Sequence, residues 1–234
     1  MKKILFVVAL STFAFNSANA QELIGHDNQL GNNGLMISTT AKKRTNVNIE
    51  GTPFINESFL PIKLTSFEDR NLQARYNGYN GDMEVLDVSQ GTVFVLNKNM
   101  SDYEVTFIGL DKTYSIFNYI DEDGYISKDF FIKLSTNNNV SLLKKESVHY
   151  IGERIAVSTY DKARDARYKR ANDEYYILFT GEDQNAQLLP RRKKDIAKLI
   201  PEHSKDILSY IKTNKIKTSR EEDLIKLVNY MSTL

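Results

Sequence analysis

The central part of the chain, from Val47 to about Thr180, is a succession of short apolar runs separated by turn residues. In runs such as residues 103–107, apolar and polar side chains alternate, which is typical of a β-strand with one buried face. The runs recur roughly every 8–14 residues, and no stretch between them keeps the helical period that a βαβ unit requires. This pattern predicts a mainly β domain, an antiparallel meander that closes as a sandwich or an open barrel.

Two turns in this region carry strong hairpin signals. Asn80 and Gly81 both tolerate the positive φ of a type I′ turn, so we expect them to join two strands directly. Residues 121–124 mark a second hairpin. Proline cannot donate a hydrogen bond to a strand ladder, so Pro53 and Pro61 predict a sheet edge or a strand start.

Three further runs predict strands. Residues 92–96 are continuously apolar, which indicates a strand buried on both faces. Residues 148–151 and 155–158 are shorter candidates on either side of Gly152.

Residues 190–234 change to a helical period and predict two or three short amphipathic helices. Pro201 suits the first turn of a helix, and Asn214 suits a C-terminal cap. Ser219 and Glu222 have the spacing of a capping box. Helices this short are marginal alone, so we expect this tail to pack on the β domain.

The first 20 residues have the organisation of a secretory signal peptide. Lys2 and Lys3 precede the apolar run 4–10, and the segment ends at Ala20 after a small-x-small pattern. The apolar run is too short to span a bilayer, and no later run is long enough. We therefore expect cleavage after Ala20, a periplasmic or secreted mature chain that begins at Gln21, and no membrane-spanning segment once the leader is removed.

The domain organisation follows from these elements. Residues 21–34 are rich in Asn and Gly and predict a flexible mature N-terminus. The antiparallel β domain is expected over residues 35–185, and the helical tail over residues 190–234.

Catalytic and metal-binding patterns are weak. The sequence has no cysteine, which excludes thiol nucleophiles and thiolate metal sites, and its histidines, His26, His149 and His203, are widely separated. It contains no Gly-x-Ser-x-Gly elbow or phosphate-binding glycine loop. We therefore expect no metal and no cofactor, and no catalytic residue can be named. A hydrolase with an unrecognised pair of catalytic carboxylates remains an alternative, because the two members of such a pair are distant in sequence and form no local motif.

A basic segment with interleaved tyrosines is the strongest binding signal. Together with a second basic run it could form an anion-binding surface for an acidic glycan, a lipid headgroup or an acidic protein. Its candidate residues are Lys162, Arg164, Arg167, Tyr168, Lys169, Arg170, Arg191 and Arg192. Asp161 and Asp165 lie among them, so a self-paired solvated loop is the alternative.

The charge is unevenly distributed along the chain. Residues 21–143 hold 10 basic and 16 acidic residues, whereas residues 144–234 hold 19 and 14. The near-neutral balance of an exported chain does not favour nucleic acid as a partner.

Three segments resemble a group of exported proteins of Bacteroidota. They are residues 51–59, the tyrosine-rich hairpin at residues 76–85, and residues 221–230. The resemblance would cover most of the mature chain and implies export, but the group has no known activity from which site residues could be transferred.

These features together favour a non-enzymatic envelope or periplasmic protein that works by binding, with an envelope protein, an acidic glycan or a lipid headgroup as partner. The alternatives are the hydrolase above and a structural component that docks through its C-terminal helices.

Overall fold

The computed structural model describes Gln29–Leu30, Leu35–Ile37 and residues 49–234, except residues 66, 68–69, 100–102, 136–138, 159 and 182–183. The predicted leader lies outside the described residues, as does most of the predicted flexible segment 21–34. The described chain is mainly β, with one large antiparallel sheet and a small C-terminal helical region. This confirms the predicted fold class.

Fourteen strands are present in the described part of the chain. They are β1 (Gln29–Leu30), β2 (Leu35–Ile37), β3 (Leu60–Leu64), β4 (Leu72–Asn77), β5 (Asp82–Asp87), β6 (Thr92–Leu96), β7 (Glu104–Phe107), β8 (Lys112–Ile120), β9 (Ile126–Lys133), β10 (Val140–Lys145), β11 (Val148–Ile151), β12 (Arg167–Arg170), β13 (Glu174–Phe179) and β14 (Gln187–Leu188). The helices are α1 (Lys193–Ala197), a 3-10 turn (Pro201–His203), α2 (Ser204–Thr213) and α3 (Glu221–Met231).

The main sheet has the strand order β1-β2-β6-β5-β4-β3-β7-β8-β9-β10-β13-β14, and each neighbouring pair is antiparallel. The sheet curls into a half-barrel. Of the two predicted arrangements, the structure therefore has the open barrel and not the sandwich. Strand β3 lies between β4 and β7, although β4, β5 and β6 separate β3 and β7 in the sequence. Strands β11 and β12 form a separate hairpin, inserted between β10 and β13.

The turn between β4 and β5 differs from the type I′ turn predicted from Asn80 and Gly81. It is a four-residue loop, residues 78–81, in which Gly81 has a φ of 75°. Asn77 explains the longer loop. Its Oδ1 accepts hydrogen bonds from the backbone N–H groups of Tyr79 and Asn80 at 3.0 and 3.4 Å, and its carbonyl accepts from Gly81 at 2.9 Å.

Pro61 is the second residue of β3, which confirms the predicted strand start but places it in an interior strand. Its missing N–H is not needed there. The ladder with β7 begins at Ile62, and the Pro61 carbonyl accepts a hydrogen bond from Ile108, just beyond β7.

Two strand predictions are wrong. Strand β6 is half-buried except at Leu96, because its apolar run lies towards one end of the curled sheet, where the short β2 is its outer neighbour. Residues 155–158 form no strand and are exposed. Strand β11, Val148–Ile151, has the predicted bounds.

The apolar interior divides into clusters on the two faces of the sheet. Alternation along β9 puts Phe130 and Ile132 in the cluster enclosed by β3–β9, and Phe131 in a smaller cluster on the opposite face. A third cluster joins β10 and β13 to all three helices. It contains Leu142, Ile177, Ile196, Ile207, Ile211, Leu224, Leu227, Val228 and Met231. The helical tail therefore packs on the β domain at β10 and β13, as predicted.

The helix ends correct one prediction and confirm another. Helix α3 begins at Glu221 after Arg220 and has no side-chain cap, so the capping box predicted from Ser219 is wrong. The side chain of Asp223 instead accepts a hydrogen bond from the backbone N–H of Lys217 at 3.0 Å, so this donor in the preceding turn has a partner. Asn214 is the C-cap of α2, as predicted.

Candidate interaction surface

The β11–β12 hairpin is separate from the main sheet, and Glu50 pairs with β12 through two backbone hydrogen bonds of 2.9 Å, one donated to Ala166 and one accepted from Tyr168. Beyond the pair formed by Ile151 and Arg167, the strands are tied once more by reciprocal backbone hydrogen bonds of 2.8 and 2.9 Å between Arg154 and Arg164. Between these two residues the chain forms a tip in which almost every described residue is exposed. Backbone pairing thus orders the hairpin as far as Arg154 and Arg164, and the described residues of the tip beyond this pair contact little else.

The base of the hairpin docks on the β4–β5 loop. The backbone N–H of Val148 donates to the carbonyl of Gly78 at 2.8 Å. A Cβ atom on Gly78 would lie 2.7 Å from the Cδ1 atom of Ile55 and 3.1 Å from the Cγ2 atom of Val148. A larger residue at this position would therefore have to displace the side chains of Ile55 and Val148.

Three tyrosines from separate elements meet beside this contact, and we call them the tyrosine triad. Tyr150 and Tyr168 are opposite each other in the β11–β12 ladder, with ring centroids 5.4 Å apart. Tyr79, from the β4–β5 loop, lies 6.4 Å from Tyr150 and 5.5 Å from Tyr168. Burial and the two neighbouring tyrosines raise the pKa of Tyr168. Tyr79 is 54% and Tyr150 42% exposed, so the triad is an aromatic surface and not core.

The hairpin tip carries exposed apolar side chains. Ile155 is 75%, Val157 89% and Tyr160 100% exposed, the highest values among the large apolar side chains of the described residues. Single exposed apolar residues are ordinary, whereas several on one projecting segment commonly mark an interaction site. The tip, the triad and the exposed cations Lys162 and Arg164 together form what we call the hairpin surface.

The predicted cationic residues separate into three groups. Lys162, Arg164 and Lys169 are exposed on the hairpin, and Arg167 is half-buried on it. Tyr168 belongs to the triad. Arg170 is held at the hairpin base by carboxylates. The remaining two, Arg191 and Arg192, are exposed just before α1, and Arg191 lines a groove away from the hairpin tip.

Glu146 anchors the hairpin base to the sheet. Its buried carboxylate accepts hydrogen bonds from the Tyr114 hydroxyl, from Lys112 Nζ at 3.0 and 3.1 Å, and from Arg170 Nη2 at 2.9 Å. Burial acts to raise the pKa of Glu146, but the hydrogen bond from Tyr114 and the charges of Lys112 and Arg170 outweigh it and lower that pKa. Arg170 also pairs with Asp173 at 2.6 Å.

A second buried carboxylate, Asp129, has a similar environment. Lys145 Nζ lies 2.9 Å and Lys98 Nζ 3.5 Å from its oxygens, and Lys145 also donates to the Tyr119 hydroxyl at 3.0 Å. Burial acts to lower the pKa of Lys145, but Asp129 and the hydrogen bonds to Tyr119 and Asp129 outweigh it and raise that pKa. Each buried carboxylate is thus neutralised by neighbouring cations whose side chains reach partly into solvent.

The hydroxyl of Tyr76 is buried and has no hydrogen-bond partner among the described residues. Burial and the charges of Asp129 and Glu146 raise its pKa well above the ordinary value. Its ring lies 4.9 Å from that of Tyr114. The phenol therefore stays neutral between the two carboxylate clusters.

A groove of about 900 Å³ lies between the last strands and the start of α3. Its lining includes Asp173, Tyr175, Leu188, Arg191 and Ser219. Tyr175 donates to Glu221 at 3.0 Å, and burial followed by the charge of Glu221 raises the pKa of Tyr175. The walls of the groove are partly polar and partly apolar. Its Asp173 already has an ion-pair partner, Arg170, so few charged side chains are left to meet a ligand.

Among the described residues, no group of three or more His, Asp and Glu side chains could hold a metal ion. No helix in the described part of the chain is both long enough and apolar enough to cross a bilayer. Comparison of the chain with models of known protein families, with curated proteins and with solved structures finds no match.

The sequence pattern found the cations of the hairpin surface but missed most of its apolar part. Tyr150 could have been found from the register, because pairing β11 with β12 puts it opposite Tyr168. The alternating pattern of Ile155 and Val157 predicts a strand, whereas the structure places both residues on the exposed tip. Tyr79 has no local signal, since only the curl of the sheet brings its loop to the hairpin.

Proposed function

We propose that this chain is an exported binding protein of the cell envelope that engages its partner through the hairpin surface. The observation that carries the proposal is the exposed apolar tip, Ile155, Val157 and Tyr160, beside the tyrosine triad and the exposed cations Lys162 and Arg164. Aromatic residues and arginine are enriched where proteins bind partners. Export is supported by the predicted leader, residues 1–20.

The distribution of perturbed ionisable groups favours binding over catalysis. An active site presents such groups in an open cleft, where they can reach substrate. Here Glu146 and Lys145 lie in buried clusters that neutralise them. The groove beside α3 contains two carboxylates, but its Asp173 is paired with Arg170 and its Glu174 accepts a hydrogen bond from the Tyr176 hydroxyl at 3.3 Å.

The alternative of a structural component that docks through its helices has less support. The apolar sides of α2 and α3, including Ile207, Ile211, Leu224 and Leu227, are already buried against β10 and β13. Little apolar helix surface is therefore left for another molecule.

Site-specific photocrosslinking in cells tests the proposal. A photoreactive phenylalanine analogue replaces Tyr160 at the hairpin tip, and the matched control replaces Tyr125, which is 71% exposed at the β8–β9 turn. We expect an adduct from position 160, either to a protein or to a lipid, that is absent from position 125. Equal yields from the two positions, or no adduct from position 160, would contradict the proposal.

The predicted export has a separate test. Mass spectrometry of the protein recovered from envelope fractions should find Gln21 as its first residue. Recovery of protein that still carries Met1 would overturn the compartment, while leaving the hairpin surface to be judged by crosslinking.

A further inference from the structure

We infer that the partner of the hairpin surface is the surface of an anionic lipid bilayer, into which the hairpin tip inserts. The inference rests on the proposed function, because it names the partner class of the same surface. It comes from the combination of protruding aliphatic side chains and flanking cations on one segment.

The apolar side chains of the tip are placed for shallow insertion. Ile155 and Val157 are two residues apart, and Tyr160 follows, all beyond the last backbone pair at Arg154 and Arg164. They are the parts of the hairpin that contact the protein least. Aliphatic groups can enter the boundary between headgroups and acyl chains, while tyrosine, which is apolar with a polar end, suits the interface itself.

Cations outnumber acidic residues along this segment: residues 153–169 hold five Lys and Arg against Glu153, Asp161 and Asp165. Lys162 and Arg164 follow the tip directly, and Arg167 and Lys169 continue along one face of β12. Arg154 precedes the tip, where it pairs with Asp161 at 2.9 Å. Attraction between such residues and an anionic surface strengthens binding by about fivefold for each Lys or Arg near the lipid.

The shape of the surface favours a bilayer over the other candidate partners. A glycan would use the cations but would leave Ile155 and Val157 without a role. A stable protein interface needs about 800 Å² on each side with complementary packing, whereas the apolar groups here are separate side chains on a projecting loop. A bilayer needs no complementary shape, and a few inserted side chains with nearby cations are enough to bind it.

The tyrosine triad and the Glu146 anchor act as supports in this arrangement. Tyr79 holds the triad to the β4–β5 loop, and Arg170 ties the end of β12 to Glu146. The hairpin base is therefore fixed to the half-barrel while its tip is free to enter the lipid.

Vesicle flotation tests the inference. The chain from Gln21 onwards is mixed with vesicles of phosphatidylcholine containing about one third phosphatidylglycerol, and with vesicles of phosphatidylcholine alone. We expect binding to the anionic vesicles, at least tenfold weaker binding to the neutral ones, and a further loss when salt is raised from about 0.1 M to about 0.5 M.

Matched variants locate the contact. The double variant Ile155→Asp/Val157→Asp should bind anionic vesicles at least tenfold more weakly. The control Ile108→Asp/Leu110→Asp adds the same charge at two exposed apolar residues of the β7–β8 turn and should bind like the wild type. All four positions are exposed, so an unchanged urea midpoint for each variant confirms that folding is intact.

Charge reversal provides the second comparison. Lys162→Glu/Arg164→Glu should weaken binding more than tenfold, whereas Lys205→Glu/Lys212→Glu, exposed on α2, should weaken it less than threefold.

Each contrary outcome points to a different error. If the wild type does not bind anionic vesicles, or if Ile155→Asp/Val157→Asp binds as the wild type does, the inference is overturned. If a protein adduct still forms at position 160 in cells, the proposed function stands and only the bilayer is excluded. If sedimentation velocity shows self-association that the same double variant abolishes, the partner is a second copy of the chain.

Discussion

The Nη2 atom of Arg170 lies 2.9 Å from the Oε1 atom of Glu146, and this ion pair ties the end of β12 to the residue that follows β10. Lys112 and Tyr114 of β8 contact the same carboxylate. One buried charge therefore connects the hairpin to the interior of the half-barrel. Because the carboxylate is almost fully removed from water, its partners must compensate for the loss of hydration.

Replacing Glu146 by Gln keeps the size of the side chain but removes the charge that faces Lys112 and Arg170. We expect the free energy of unfolding to fall by about 3 kcal/mol, since breaking one side of a buried ion pair leaves the other uncompensated. Urea denaturation measures this loss. The control is Lys226→Gln. In the wild type the exposed Lys226 lies 3.9 Å from Asp223, and removing this pair should change the unfolding free energy by less than about 0.5 kcal/mol.

The same carboxylate makes stability depend on pH in the acidic range. The pKa of Glu146 in the folded protein is lowered from its ordinary value of 4.5. Its stabilising contribution is therefore complete above pH 4.5 and is lost as the pH falls through the folded pKa. Comparing the urea midpoints of the wild type and Glu146→Gln from neutral to acidic pH isolates this contribution.

We expect the gap between the two proteins to narrow below pH 4.5. Other groups, such as Asp82 with a pKa raised by burial, are common to both and cancel. A gap that stays constant across the range would show that the charge of Glu146 is not what stabilises the hairpin base.

Gly81 is required by both its backbone conformation and its surroundings. Its φ is 75°, and a Cβ atom would lie 2.6 Å from Oδ1 of Asp129. Gly81→Ala should cost about 2 kcal/mol or more, measured by thermal or urea unfolding. Gly91 is the matched control, because it has a φ of 64° but no atom within 4 Å of an added Cβ. Equal losses for the two variants would show that contact with Asp129 adds nothing.

The fold could be predicted where it is set by neighbouring residues. The β4–β5 and β8–β9 hairpins were found because the turn residues lie between the strands they join. The longer β4–β5 loop was missed because the side chain of Asn77, in the preceding strand, sets its length. The pairing of β3 with β7 could not be predicted, since nothing local indicates that a segment starting at Pro61 enters the middle of a sheet.

The candidate surface was only partly predictable for the same reason. A cluster such as Lys162 and Arg164 is visible in sequence, and so is Tyr168. The contact of Tyr79 with Tyr168 depends on the curl that brings the β4–β5 loop to the hairpin. The role of Arg170 also changed, because Glu146, distant in sequence, holds it at the base.

The end of α2 contains a residue whose replacement should stabilise the protein. Lys215 follows the C-cap with a φ of 51°, and hydrogen bonds from Ile216 to Ile211 and from Lys215 to Lys212 form a Schellman motif. Glycine adopts this conformation without strain. Lys215→Gly should raise the unfolding free energy by about 1 kcal/mol, measured by urea denaturation. Lys215→Ala, which removes the charge but keeps the strain, should not stabilise the protein.

The helical tail is expected to be part of the folded core. Leu227 of α3 is fully buried in the cluster that also contains Leu142 of β10 and Ile177 of β13. Leu227→Ala should lower the unfolding free energy by about 3 kcal/mol, with a single transition, because the cavity would open between helix and sheet. Lys226→Ala, exposed on the same helix, should have little effect on the measured unfolding curve.

Removal of residues 190–234 extends the same argument from one side chain to the whole tail. The deletion would expose Val140, Leu142 and Ile177 on β10 and β13, so the shortened chain should aggregate or unfold. Circular dichroism measures the loss of strand content, and size-exclusion chromatography detects the aggregation. A shortened chain that stays monomeric, with strand content and urea midpoint unchanged, would contradict this and indicate that the helices are an appendage available for another partner.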